Sequence, residues 1–146
     1  MTAMTNFNEF KPGRCLVGRL AHGQDLIGSI EAMCREASIQ MAAFSLIGAV
    51  SSVTFGAYDQ KQQVYVTIKE DAAFEIVSCT GNVSLKEGHP FVHAHILLAD
   101  EQGRTLGGHL FSETIVYAAE IYLQELAGPP LARFFDQTTG LMLWPI

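Results

Sequence analysis

Two stretches constrain this chain more than anything else in it: Pro90-Phe91-Val92-His93-Ala94-His95-Ile96-Leu97 and Gly107-Gly108-His109-Leu110. Together they hold three of its five histidines. His93 and His95 are spaced i, i+2, so on a β-strand both project from one face. Between the stretches lies the turn-forming segment Asp100-Glu101-Gln102-Gly103, which reverses the chain. A three-residue hairpin loop of Glu101, Gln102 and Gly103 pairs Asp100 with Arg104, and counting inward sets His109 opposite His95. That loop class puts its third residue in the left-handed region, where glycine is unstrained, and Gly103 stands there. A two-residue loop would shift the pairing by one and turn His109 to the other face. A bulge at Gly107-Gly108 would also alter the count.

Three neutral imidazoles converging from two adjacent strands are a recurrent ligand set for a divalent transition metal with one position left open. The bland alternative is a set of hydrogen-bonded polar residues on a half-buried sheet. His-x-His with a third histidine on the paired strand favours the metal, with His93, His95 and His109 as its ligands.

At 146 residues the chain is long enough for one domain with a substantial core and short for two, so residues 1–146 are expected to form a single domain. Charged residues are only 16% of the total, below the usual quarter or so. So little charge on so small a surface implies that another subunit covers part of it. The net charge is −6, and no run of lysine or arginine occurs, which disfavours direct nucleic-acid binding. Met1 to Phe7 lacks the basic start and apolar core of a secretion signal, and no apolar run reaches membrane-spanning length. Cys15, Cys34 and Cys79 are odd in number, widely spaced and without a Cys-x-x-Cys. They are expected to be reduced, mostly buried thiols in a cytoplasmic protein, with a cysteine ligand to the metal the weaker option.

Arg14 to Leu20 predicts a first strand. Gly23 and Asp25 open a helix, with Asp25 as N-cap and Leu26, Ile30, Met33, Cys34 and Ala37 as a core-facing stripe. Met41 to Ile47 and Val50 to Tyr58 form two β-like runs separated by Gly48-Ala49. Val64 to Ile68 is a short strand after the turn Asp59-Gln60-Lys61-Gln62. Phe74 to Ser84 is another, with Gly81 marking a bulge or a close approach. The histidine hairpin runs from Phe91 to Ala99 and from Arg104 to Phe111. Thr114 to Leu126 fits a buried strand or an amphipathic helix, and its β-branched and aromatic content tilts it toward strand. A turn at Asp136 to Gly140 leads into a last short strand, Leu141 to Trp144. The expected class is α+β, a largely antiparallel sheet of about seven strands with one main helix packed on it.

In order along the chain, Gly23-Gln24-Asp25-Leu26, Gly48-Ala49-Val50, Gly56-Ala57-Tyr58-Asp59, Phe74-Glu75-Ile76-Val77-Ser78, His93-Ala94-His95 and Gly107-Gly108-His109-Leu110 resemble the motifs of the plants-and-prokaryotes-conserved (PPC) domain family. The resemblance spans roughly Gly13 to Leu143, and Glu120 sits where that family usually has glutamate. It implies an antiparallel sheet with a helix on one face, assembly as a homotrimer, and His93, His95 and His109 as metal ligands with zinc the usual occupant. Plant relatives carry a basic AT-hook that binds A·T-rich DNA. No Arg-Gly-Arg core of such a hook occurs here, so the resemblance carries over assembly and protein interaction but not that DNA contact. Stand-alone bacterial members have a largely unassigned role. Two features depart from the pattern: Phe111-Ser112-Glu113 replaces the usual glycine after Gly-Gly-His-Leu, and His89 lies four residues before His93. His89 is a fourth ligand, a neighbour of the ligands or a surface residue, and Gly88 and Pro90 around it favour the surface.

Glu120 and Glu75 are candidates to accept a hydrogen bond from the second nitrogen of a ligating imidazole, or are simply solvated or paired glutamates. Three histidines and an open position resemble the zinc arrangement that activates water near neutral pH, so a zinc-dependent hydrolase or lyase acting on a small polar substrate is the alternative function. No Ser-His-Asp order, Gly-x-Ser-x-Gly elbow, Walker motif or dinucleotide fingerprint is present. Cys79 is a candidate nucleophile, outweighed by a buried inert thiol. A cupin also begins with His-x-His, but the glutamate expected soon after is replaced by Ile96-Leu97-Leu98-Ala99. The leading function is a zinc-binding trimeric module with a regulatory or DNA-associated role.

Overall fold

A computed structural model describes residues 7–145. The segment Met1 to Phe7, read above for a secretion signal, lies outside the described residues apart from Phe7. The elements run β1 (Lys11–Leu20), α1 (Leu26–Glu36), β2 (Ala42–Asp59), β3 (Val64–Glu70), β4 (Phe74–Lys86), β5 (His89–Ala99), β6 (Thr105–Leu110), β7 (Ile115–Ala127), β8 (Phe134–Asp136) and β9 (Leu141–Leu143). No helix among the described residues is long and apolar enough to cross a membrane.

The main sheet has seven strands, all antiparallel, in the order β1-β7-β2-β4-β5-β6 with β3 added to β2. The two runs expected on either side of Gly48-Ala49 are in fact one 18-residue strand. Gly48 has φ 149°, and a Cβ there would fall 2.1 Å from the Ala118 carbonyl oxygen. The register shifts beside it on both neighbours, so the glycine bends the strand without ending it. This length lets β2 serve two parts of the sheet. Its first half lies between β7 and β4, while Phe55 and Gly56 in its second half pair with Leu110 and His109 of β6. Strands β2, β4, β5 and β6 therefore close into a ring.

The segment left open between helix and strand is strand β7. Ala119, Ile121 and Leu123 are buried while Ala118, Glu120 and Tyr122 are exposed, the period-two pattern of a sheet with one covered face. The β8–β9 ladder holds three residue pairs. Strand β8 is too short for an alternating pattern to announce it.

Helix α1 begins where Asp25, with extended backbone, accepts from the Gly28 amide at 2.9 Å through one carboxylate oxygen. The other oxygen accepts from the Thr114 amide at 3.1 Å, tying the cap to the start of β7. Leu26, Ile27, Ile30 and Cys34 bury the inner face of the helix, and Glu31 accepts from the Val92 amide at 3.0 Å, which seats it against β5. Asp25→Ala is expected to lower stability by about 1–2 kcal/mol, at the upper end for a lost N-cap because two amides lose their acceptor. Urea unfolding checks this. Unchanged stability would show that water replaces both bonds.

The helix covers one face of the sheet; the other is open except at one end, where Arg133 and Trp144 of the C-terminal segment lie over Ser84 and Asn82 of β4. Directly opposed residues trace a row across that open face: Val17, Tyr122, Ser45, Thr80, His95 and His109. A second row joins Cys15, Gln124, Ala43, Asn82 and His93. All three hairpin histidines thus stand at one end of that surface, the end which the C-terminal segment partly covers.

Candidate metal centre

The hairpin adopts the register predicted from its loop. The Asp100 amide donates to Arg104 O at 3.0 Å, the Gly103 amide donates to Asp100 O at 2.9 Å, and Gly103 has φ 77°. The Asp100 carboxylate accepts from the amides of Gln102 and Arg104 and from Arg104 Nε, which pins the turn. From Ala99–Thr105 to His95–His109 the ladder runs without a shift, so Gly107-Gly108 forms no bulge within it. The pair serves close approach instead: a Cβ on Gly108 would fall 2.3 Å from the Gly56 carbonyl oxygen. Glycine lets β6 fit between β5 and β2 and fixes the depth of His109. Gly81, opposite Ala94, likewise marks close approach, its Cβ position lying 2.3 Å from His93 O.

The three rings converge. Centroids are 5.3 Å apart for His93–His95, 5.1 Å for His93–His109 and 5.5 Å for His95–His109. One nitrogen from each can be chosen so that all three lie within 4.8 Å of one another. Zinc bonds to imidazole at about 2.0–2.1 Å, which in a tetrahedron sets nitrogens about 3.4 Å apart, so binding would draw the rings inward.

Burial, then Arg133, then His95 lower the pKa of His93. Burial, His93, His95 and Arg133, in that order, push His109 down to about 4. Both are therefore neutral at pH 7, the form that donates a lone pair to a metal. Among the described residues the only hydrogen bond of a histidine side chain is between His22 Nδ1 and Tyr117 O. The converging rings thus have no protein partner, and those of His93 and His109 keep their nitrogens in reach of solvent. No protein group among the described residues satisfies these rings, which leaves them to solvent or to a bound ion. The donor set fits a divalent transition metal.

The sign of the pH effect follows from these shifts. Between 6.5, the ordinary value, and about 4, the unfolded chain protonates His109 while the folded chain does not. Metal-free protein is expected to lose stability as pH falls through that window. Urea midpoints across it should decline less steeply in His109→Ala than in the wild type; equal slopes would assign the effect elsewhere.

Residues 7–127 match the Plants and Prokaryotes Conserved (PCC) domain. The chain belongs to that family. The match stops short of Leu143, to which the sequence resemblance extended, but solved relatives cover nearly the whole chain. A metal-containing protein from Archaeoglobus fulgidus is 42% identical, with a TM-score of 0.93, over 97% of this chain and 100% of that one. A plant- and prokaryote-conserved protein from Pyrococcus horikoshii is 36% identical, with a TM-score of 0.91, over 96% of each chain. A Synechococcus protein named bifunctional protein GlmU is 32% identical over 126 residues, which are 85% of this chain and 19% of that protein. The chain thus spans about a fifth of the length of the curated relatives it matches.

Within this family fold the other residues singled out from sequence lie apart from the triad. Glu120 pairs with Arg19 and Ile47, and β2 and β4 separate its strand from β5. Glu75 pairs with Ala99 at the far end of β4. Neither reaches an imidazole of its own chain. His89 is exposed and sits four residues along β5 from His93, about 13 Å at strand rise. Cys79 is fully buried, and burial raises its pKa to about 12, so it is no nucleophile. Cys34 is buried too, whereas Cys15 is exposed.

Sequence reasoning missed the groups around the triad. Tyr65 of β3 and Phe111 flank the His109 ring, with centroids at 4.7 and 4.6 Å. Arg133 donates through Nη2 to Asn82 Oδ1 at 2.9 Å, and Asn82 lies directly opposite His93. The one available signal was a single arginine in the apolar run Leu131-Ala132-Arg133-Phe134-Phe135.

Proposed function

We propose that this protein is a zinc-binding module that assembles as a homotrimer and works through regulated protein association in the cytoplasm. The observation that carries the reading is the triad itself: His93, His95 and His109 converge from two paired strands, and their rings have no hydrogen-bond partner among the described residues. Three imidazoles with no thiolate or carboxylate suit zinc and leave a coordination position free. Bound there, the metal would supply Lewis acidity at that open position. The metal-containing relative from Archaeoglobus fulgidus supports a metal, and the choice of zinc rests on the donor set and the family.

Self-association is supported by the open face, where Val17, Ile47, Tyr117 and Tyr122 are 48–66% exposed. The threefold number is the family's expectation. A cytoplasmic location is supported by three unpaired cysteines. The occurrence of a similar unit within a much longer Synechococcus protein supports an accessory, modular role. A net charge of −6 argues against DNA as the direct partner.

The second reading is a zinc-dependent hydrolase or lyase, favoured by a cavity that opens against His93. Metal analysis beside solution mass tests the first reading. Stoichiometric zinc and a trimeric mass are expected. Protein that carries no metal and takes up no added zinc would overturn it.

A further inference from the structure

Arg133 is only 7% exposed, yet every acceptor it uses among the described residues is neutral. Nε donates to Ser84 Oγ at 3.0 Å, Nη1 to Met142 O at 3.1 Å and Nη2 to Asn82 Oδ1 at 2.9 Å. The ion pairs among the described residues all lie elsewhere, at Arg14–Glu125, Lys69–Glu113 and Arg104–Asp100. A guanidinium carries five N–H donors, so among the described residues one on each terminal nitrogen is left without an acceptor. The Trp144 and Phe91 rings lie 4.9 and 5.7 Å from Cζ and help to fix the group in place. A buried cation without a counter-charge is costly, and proteins seldom keep one unless an anion completes it.

The anion has somewhere to sit. Beside Arg133 lies a cavity of about 620 Å³, whose wall also includes Asn82, His93, Leu131, Trp144 and Phe10. That volume suits a small organic molecule, and the mixture of apolar wall and few polar groups is that of a ligand site. A group bound at Arg133 faces a cavity whose wall includes His93, a member of the triad. Arginine, with its paired donors, is suited to carboxylate and phosphate.

We propose that this cavity binds a small organic oxyanion, a carboxylate or phosphate monoester, whose charged end rests on Arg133 while its body extends toward the metal held by His93, His95 and His109. The second half of this statement rests on the metal reading above; the first half does not.

The test uses the full chain loaded with cobalt(II), whose visible spectrum reports on its ligands, with lactate, methyl phosphate and neutral lactamide as probes. Lactate or methyl phosphate is expected to bind by calorimetry and to shift the cobalt spectrum, and whichever does so identifies the class. Lactamide should do neither. Arg133→Gln also removes bonds that hold the C-terminal segment, so the deciding variant is Asn82→Asp, which gives Arg133 an internal carboxylate where it already has an amide partner. Asn82→Asp should bind the oxyanion at least tenfold more weakly, with cobalt content unchanged and melting temperature equal or higher. No binding of either oxyanion to the wild type, equal binding of lactate and lactamide, or undiminished binding in Asn82→Asp would overturn the proposal. If the protein takes up no cobalt, the metal reading fails on its own. Calorimetry on the metal-free chain, with the same probes and the same variant, then decides the Arg133 half.

Discussion

His109→Ala is expected to strip the protein of stoichiometric zinc, with affinity falling more than about a hundredfold, beyond the 10–100-fold typical of losing only an outer partner of a metal ligand. His93→Ala should do the same, because two imidazoles leave the coordination sphere half empty. The fold should survive both changes. His109 is half-buried and its ring makes no hydrogen bond among the described residues, so its removal costs mainly the contacts with Tyr65 and Phe111, about 1 kcal/mol. His89→Ala should retain wild-type zinc, since His89 stands exposed at the start of β5 and outside the cluster. Competition against a chromophoric chelator, with thermal melts alongside, measures all three. Wild-type zinc in the first two variants, or equal loss in His89→Ala, would remove the triad as the binding site.

If the chains meet through the open face as proposed, Ile47→Lys is expected to yield folded monomers. Ile47 is 52% exposed on the open face and lies in register with Glu120 of β7. A lysine there can pair with Glu120 within the chain, so the isolated fold bears little strain. In an assembly that covers this face the lysine would leave water together with Glu120, and desolvation costing several kcal/mol per ion would outweigh their attraction. Sedimentation gives the answer directly. A monomeric wild type, or an Ile47→Lys assembly as large as the wild type, would show that the open face is not where the chains meet. Zinc content of the same variant shows in addition whether metal binding depends on assembly.

The histidine hairpin was legible because its determinants are local. A left-handed glycine closing a three-residue loop sets the register, and the register alone decides which face His109 takes. The N-cap at Asp25 and the apolar stripe after it were legible for the same reason. Thr114 to Leu126 stayed open between helix and strand because Tyr117, Ala118 and Tyr122 stand at exposed positions, so the alternation present in burial is blurred in the sequence. At Gly48 the expected break was a bend, since glycine marks backbone freedom without saying whether a neighbouring strand continues the pairing. Arg133 gave almost no signal: its partners Ser84 and Asn82 lie 49 and 51 residues away.

The sequence by itself determined the α+β class, the helix start and the three histidines on one face, because each follows from local pattern and spacing, and its ordered motifs carried the resemblance to the family. Only the tertiary structure decided that β2 closes the sheet into a ring, that Glu75 and Glu120 stand away from the triad, and that a buried arginine faces a cavity beside His93. Those relations join segments far apart in the chain. Non-local strand pairing and the burial of an uncompensated charge set them, and neither is visible until the sheet is assembled.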